Sequence, residues 1–164
     1  MPSKMKTGLV SSFLCVLALL VANPLSAQEG KKYGKLYLKE YQAKNADEAG
    51  ILKTLMQFEE AFNSHDLQKL VASFTKDAVY RPSGSYARPI VSKECQDAIE
   101  HNFHVFKYEH YYDPEITVEG DTATVKMTLH TRLYLADYMA WMQKIGELWL
   151  IKKNDYTNEQ VVED

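Results

Sequence analysis

The sequence predicts an α+β fold: three helices toward the N-terminal side pack on the concave face of a cone-shaped, curved antiparallel sheet. Apolar residues recur at helical spacing from Ile51 to Phe106, apart from one short strand near Asp77. After Tyr108 the period changes to two. The turn Glu119-Gly120-Asp121-Thr122 then joins two alternating runs as a hairpin, with glycine where a positive φ costs little.

Residues 1–27 read as a cleaved signal peptide. Lys4 and Lys6 precede a 14-residue apolar run, Leu9 to Ala22, and Asn23-Pro24-Leu25-Ser26-Ala27 supplies a turn and a small residue for cleavage. The run falls short of the roughly 20 residues that a spanning helix needs. The expected location is therefore periplasmic or secreted, with no membrane span in the mature chain. The segment holds two of the 19 basic residues and none of the 22 acidic ones, so removing it leaves 17 against 22. That balance argues against nucleic acid as a partner. Cys95 is the one cysteine beyond the segment, which excludes an internal disulfide.

Residues 28–44 form a polar lead-in with Tyr33, Tyr37 and Tyr41. The domain proper, 45–164, opens on Asn45 with Glu48 three residues on, a capping-box spacing. Ile51, Leu55, Phe58 and Phe62 continue that helix. Asn63-Ser64-His65 breaks it, and Asp66 caps a short second helix carrying Leu67, Leu70, Val71 and Phe74. Asp77 to Arg81 reads as a strand ended by Pro82, Ser83 and Gly84. Ser92 caps a third helix to about Phe106, with Cys95, Ile99, Phe103 and Phe106 as its buried line.

Beyond it, Tyr108, His110, Tyr112, Pro114, Ile116 and Val118 share one strand phase. The next strand places Ala123, Val125, Met127, Leu129, Leu133 and Leu135 on the core face, with His130 and Arg132 on the polar one. Met139 to Lys153 forms a further strand region, kinked at Gly146. Asn154 to Asn158 turns into a last strand, Glu159 to Glu163.

The run AFNSHDLQKLVASFTKDAVY, the segment EITVEGDTATVKMTL and ELWLIKKND before the final hairpin make the chain resemble the nuclear-transport-factor-2-like superfamily, in particular its SnoaL-like (polyketide cyclase-like) bacterial members. The resemblance spans roughly Asn45 to Asp164. It implies the cone fold and a frequent dimer through the sheet, and it leaves the activity open, because this fold carries enzymes and binding modules alike. The proton-shuttling carboxylate of its ketosteroid-isomerase branch would fall on Tyr80, Arg81 or Pro82, and the oxyanion-binding tyrosine on Phe58. Both groups are missing, which argues against that isomerisation. A third position, an acid on the penultimate strand, corresponds to Glu147. If Glu147 faces inward with Trp149 and Ile151, burial raises its pKa and suits it to donate a proton. If Leu148 and Leu150 face inward instead, Glu147 lies in water.

On the regular strand phase, His110 and Tyr112 turn toward the interior of the cone, joined by Tyr80. This makes His110 the candidate base, Glu147 the candidate donor, and Phe58, Tyr80, Tyr112 and Trp149 the candidate ligand-binding residues. His101 and His104 lie on a solvated helix face. With no HExxH or Cys cluster, no metal site and no cofactor are expected. Two functions follow: an exported domain binding a small apolar or aromatic molecule, as a lyase, isomerase or hydrolase, or a non-catalytic dimeric interaction module of the cell envelope. Apolar residues in both phases of Met139–Ile151 fit a homodimer through the sheet. An interior filled by Phe58, Phe62, Phe103 and Phe106 would favour the module.

Overall fold

A computed structural model describes residues 34–81 and 86–162; the expected signal peptide and the Pro82-Ser83-Gly84 turn lie outside the described residues. Three helices, α1 (Ala46–Asn63), α2 (Leu67–Ala72) and α3 (Lys93–Phe106), precede most of the sheet, and a single 3-10 turn (Leu38–Glu40) precedes α1. The strands are β1 (Phe74–Tyr80), β2 (Arg88–Pro89), β3 (Glu109–Glu119), β4 (Thr122–Thr131), β5 (Tyr134–Ile145) and β6 (Leu148–Val161). They form one curved, unclosed sheet in the order β2-β1-β6-β5-β4-β3. Every pairing is antiparallel except β1 with β6, which is parallel, so the sheet is mixed.

Each helix starts where its cap residue dictates. The side chains of Asn45, Asp66 and Ser92 accept from the backbone N–H groups of Glu48, Lys69 and Cys95, at 2.9, 3.0 and 3.2 Å. Glu48 does not complete a capping box; its carboxylate accepts from Lys44 N–H at 2.9 Å. α1 buries Ile51, Leu52, Leu55, Phe58, Ala61 and Phe62 in the main core, together with α3 residues Cys95, Ile99, Phe103 and Phe106. Burial pushes the Cys95 thiol up to about 11, so the group behaves as a small core residue.

The strand boundaries depart from the sequence reading in several places, beginning with β1, which starts at Phe74, a residue expected on the second helix, and not at Asp77. β4 stops at Thr131, because its hydroxyl accepts from Leu133 N–H and Tyr134 N–H, both at 3.1 Å, and folds Arg132-Leu133 into a turn. Leu133 is therefore exposed and Tyr134 is buried. Gly146 (φ +61°) is not a kink; with Glu147 it forms the two-residue turn of a hairpin that pairs Ile145 with Leu148. Asn154 to Asn158 is not a turn either. β6 runs through it, and Asn158 (φ +55°) sits beside the register shift between Leu135 and Asp137.

α1 lies against the sheet closely enough to require a glycine. A Cβ at Gly50 would stand 2.8 Å from Cδ1 of Trp149. The indole cannot retreat readily, since it is buried and its N–H donates to Asp47 at 3.1 Å. Gly50→Ala gains about 1 kcal/mol of helix propensity but incurs about 1–3 kcal/mol of overpacking. A net loss of stability in denaturant titration is the expected outcome.

Candidate functional site

The inner face of the sheet is set by β4 and β5. Val125, Met127 and Leu129 pair with Ala140, Tyr138 and Ala136 and face the helices. On β3 the inward phase changes at a bulge between Tyr112 and Glu115, where Asp113 takes φ +53°. Ile116 and Val118 lie inward, opposite Val125 and Ala123, but before the bulge the inward residues are Glu109 and Tyr111, opposite Thr131 and Leu129. His110 and Tyr112 therefore turn away from that interior and meet Tyr37 at the free edge of β3. The expected interior position of this pair is corrected by one unpaired residue. Asp113-Pro114 was the available signal, since proline cannot donate to a ladder and marks bulges and edges.

Glu109 takes the interior place. Asn63, the last residue of α1, holds its backbone at two points: Asn63 Oδ1 accepts from Glu109 N–H at 2.8 Å, and Asn63 Nδ2 donates to its carbonyl at 2.9 Å. The carboxyl is buried and accepts from the Tyr111 hydroxyl at 2.5 Å. Around it lie Tyr80, Tyr138 and Tyr156. Tyr111 and Tyr138 stand 4.9 Å apart, Tyr138 and Tyr156 stand 5.2 Å apart, and the Tyr80 and Tyr156 hydroxyls lie 3.5 Å apart. The Tyr138 hydroxyl is buried with no protein partner. Burial pushes the Glu109 carboxyl up to about 8; the Tyr111 hydrogen bond opposes this and the Glu59 carboxylate adds to it. Burial also holds the four phenols well above their ordinary value. Glu109 is thus largely a neutral acid at pH 7.

Phe58 sits at the centre of this group, 6.0, 6.3 and 6.5 Å from the rings of Tyr111, Tyr138 and Tyr80. Phe58, Tyr80 and Trp149 are buried in the main core. Tyr112 is buried apart from this group, against Tyr37 at the β3 edge, at 5.4 Å. Glu147 is exposed in the β5–β6 turn, so the apolar pocket required for its donor role does not form around it. Surface hollows of about 390 to 670 Å³ occur among the described residues, and Glu109, Tyr111, Tyr80, Tyr156 and Phe58 line none of these.

A second cluster lies in the seam between α1 and β3. Tyr37 OH donates to Oε1 of Glu59, a fully buried carboxylate. His110 Nδ1 lies 3.4 Å from both groups, with its ring stacked on Tyr108 at 5.1 Å and its side chain one-third exposed. Burial, reinforced by Glu59, holds the Tyr37 phenol far above its ordinary value. Sequence reading missed Glu59 because it lies beside Phe58 on an apolar stripe, in a residue type usually found in water. Among the described residues no group of three His, Cys, Asp or Glu could hold a metal ion, and no helix is long and apolar enough to cross a membrane.

This architecture defines a cone with polar groups sealed inside it. Residues 43–164 match the model of the SnoaL-like domain, and the chain belongs to that family. Solved structures with the same fold include a protein of unknown function with a cystatin-like fold from Nostoc punctiforme (17% identity, TM-score 0.61, covering 74% of this chain and 96% of that one). An NTF2-like protein of unknown function from Shewanella baltica is similar (14% identity, TM-score 0.58, 76% and 100% covered). So is a Streptomyces avermitilis protein whose name proposes a dehydratase of the NTF2-like family (14% identity, TM-score 0.58, 70% and 97% covered). These likenesses show the fold. Comparison with curated protein sequences yields no match.

Proposed function

We propose that the protein is an exported, cofactor-free domain that takes a small apolar or aromatic molecule bearing a hydroxyl or carbonyl oxygen into its cone. On that molecule it moves a proton, as a lyase, isomerase or hydrolase. The observation that carries this reading is Glu109, a buried carboxyl among four tyrosines whose pKa of about 8 lies near working pH. A group so poised can both donate and accept a proton. Tyr138 has a buried hydroxyl that a ligand oxygen would satisfy. The interior role first assigned to His110 passes to Glu109, and the His110–Glu59 pair at the seam stands as a second acid–base group. Half-buried Met139 and Trp141 on the outer face support a homodimer through the sheet.

Native mass spectrometry on the chain from Gln28 onward, purified from an exporting host, tests this. The expected result is a dimer releasing a small molecule on denaturation, with ligand occupancy at least tenfold lower in Glu109→Gln. His110→Gln is expected to retain the ligand. Equal occupancy in wild type and Glu109→Gln would overturn the site.

The filled interior favours a second reading, the interaction module: Phe58 and Phe62 are fully buried and Phe103 nearly so. A dimer with no added mass after soaking in metabolite extract would select it.

A further inference from the structure

Residues 34–41 are held to the cone differently from every other segment. They contribute one bridge, Tyr37 to Tyr112, beside edge strand β3, where the other long strands form ladders. Further anchors hold them, among them a Lys39–Glu59 ion pair at 3.9 Å and a hydrogen bond from Tyr41 OH to Glu48 at 3.4 Å. The Asp113 carboxylate accepts from Lys35 N–H and Leu36 N–H at 3.1 and 2.9 Å, while Asp113 N–H donates to the Leu36 carbonyl at 2.7 Å. Leu38 inserts into the main core, and Tyr37 OH donates to Glu59. Directly beneath lies Glu59 Oε2, buried and without a partner. A buried, unsatisfied carboxylate oxygen costs free energy that contact with water would recover.

The geometry points to Gly34–Tyr41 as a lid. It opens as a unit ahead of the rest of the fold, wets the Glu59 carboxylate and exposes the seam between α1 and β3 that leads to Glu109. This rests on the reading of the cone as a binding site, and it supplies the entrance that the sealed interior requires. Geometry supports the connection: Glu59 and Asn63 lie one helical turn apart on α1, and Asn63 binds both backbone groups of Glu109. A segment with one bridge, one fully buried side chain, two half-buried tyrosines, one ion pair and a few hydrogen bonds has less holding it than the laddered strands and belongs toward the low end of local stability.

Hydrogen exchange and carboxyl footprinting of the full chain test the lid. The amides of Lys35, Leu36 and Tyr41 are expected to exchange together, at least about 100-fold faster than those of β4. Tyr37→Phe removes the bond to Glu59, and Asp113→Asn weakens the exposed anchor without touching the core. Each should speed those amides about tenfold and leave β4 unchanged. Carbodiimide with glycine ethyl ester should label Glu59 at a rate that rises by the same factor in both variants. Lid amides as slow as those of β4 would overturn the proposal, and so would fast lid exchange with Glu59 unlabelled in all three proteins. Failure of the binding reading appears separately, as ligand occupancy unchanged by Glu109→Gln.

Discussion

Replacing Glu109 by Gln is expected to flatten the dependence of stability on pH between about 4.5 and about 8. In the folded protein the carboxyl keeps its proton up to about pH 8, whereas in the unfolded chain it loses it near 4.5. Across that window the native state binds more protons than the unfolded one, so stability falls as pH rises. The slope is about 1.4 kcal/mol per pH unit, and the full loss is of order 5 kcal/mol. Below about 4.5 and above about 8 the contribution is flat. Gln matches the neutral acid in shape and still accepts from Tyr111, so the two proteins should unfold at similar denaturant concentrations at pH 4.5. They should then diverge, with the variant the more stable at pH 8. Parallel curves from pH 4.5 to 8 would show that Glu109 is ionised throughout, and the neutral-acid assignment would fall.

Phe58→Ala carries the second large effect. The ring is fully buried and contacts Phe74 at 5.7 Å as well as the three tyrosines, so its removal should cost about 3–5 kcal/mol. The void would be walled by Tyr80, Tyr111 and Tyr138 and would adjoin a carboxyl able to donate a hydrogen bond. Phenol fits such a space, with its ring in the void and its hydroxyl on Glu109 or Tyr138. Millimolar phenol is expected to raise the Tm of the variant by several degrees and leave the wild type unmoved, since binding only to the folded state stabilises it. A Tm near that of wild type would contradict the central position of Phe58. Destabilisation without rescue would mean that the polar groups do not face the void.

Local signals were strongest at the helices. Asn45, Asp66 and Ser92 cap them as expected, because a cap is a contact between residues three apart. The buried line of α3 was equally legible, since helical spacing alone puts Cys95, Ile99, Phe103 and Phe106 on one face. Strand phase was less secure, because its period of two inverts with any extra residue. One bulge at Asp113 moved His110 and Tyr112 out of the cone and put Glu109 and Tyr111 into it. A glycine turn placed Glu147 in solvent. The Asn154–Asn158 stretch, rich in turn-forming residues, was carried through as strand by its pairing with β5.

The layer order, the three helix starts, the hydrophobic faces of α1 and α3 and the family resemblance were legible in the chain, because these depend on spacing between near neighbours. Long-range contacts set the parallel pairing of β1 with β6, the choice of which residues before Asp113 face inward, and the meeting of Glu59, Tyr37 and His110. They also set the chemistry of Glu109. A carboxyl becomes a neutral acid through the water it loses, and that loss comes from Asn63, Tyr111 and the rings around them, brought together by the folded chain.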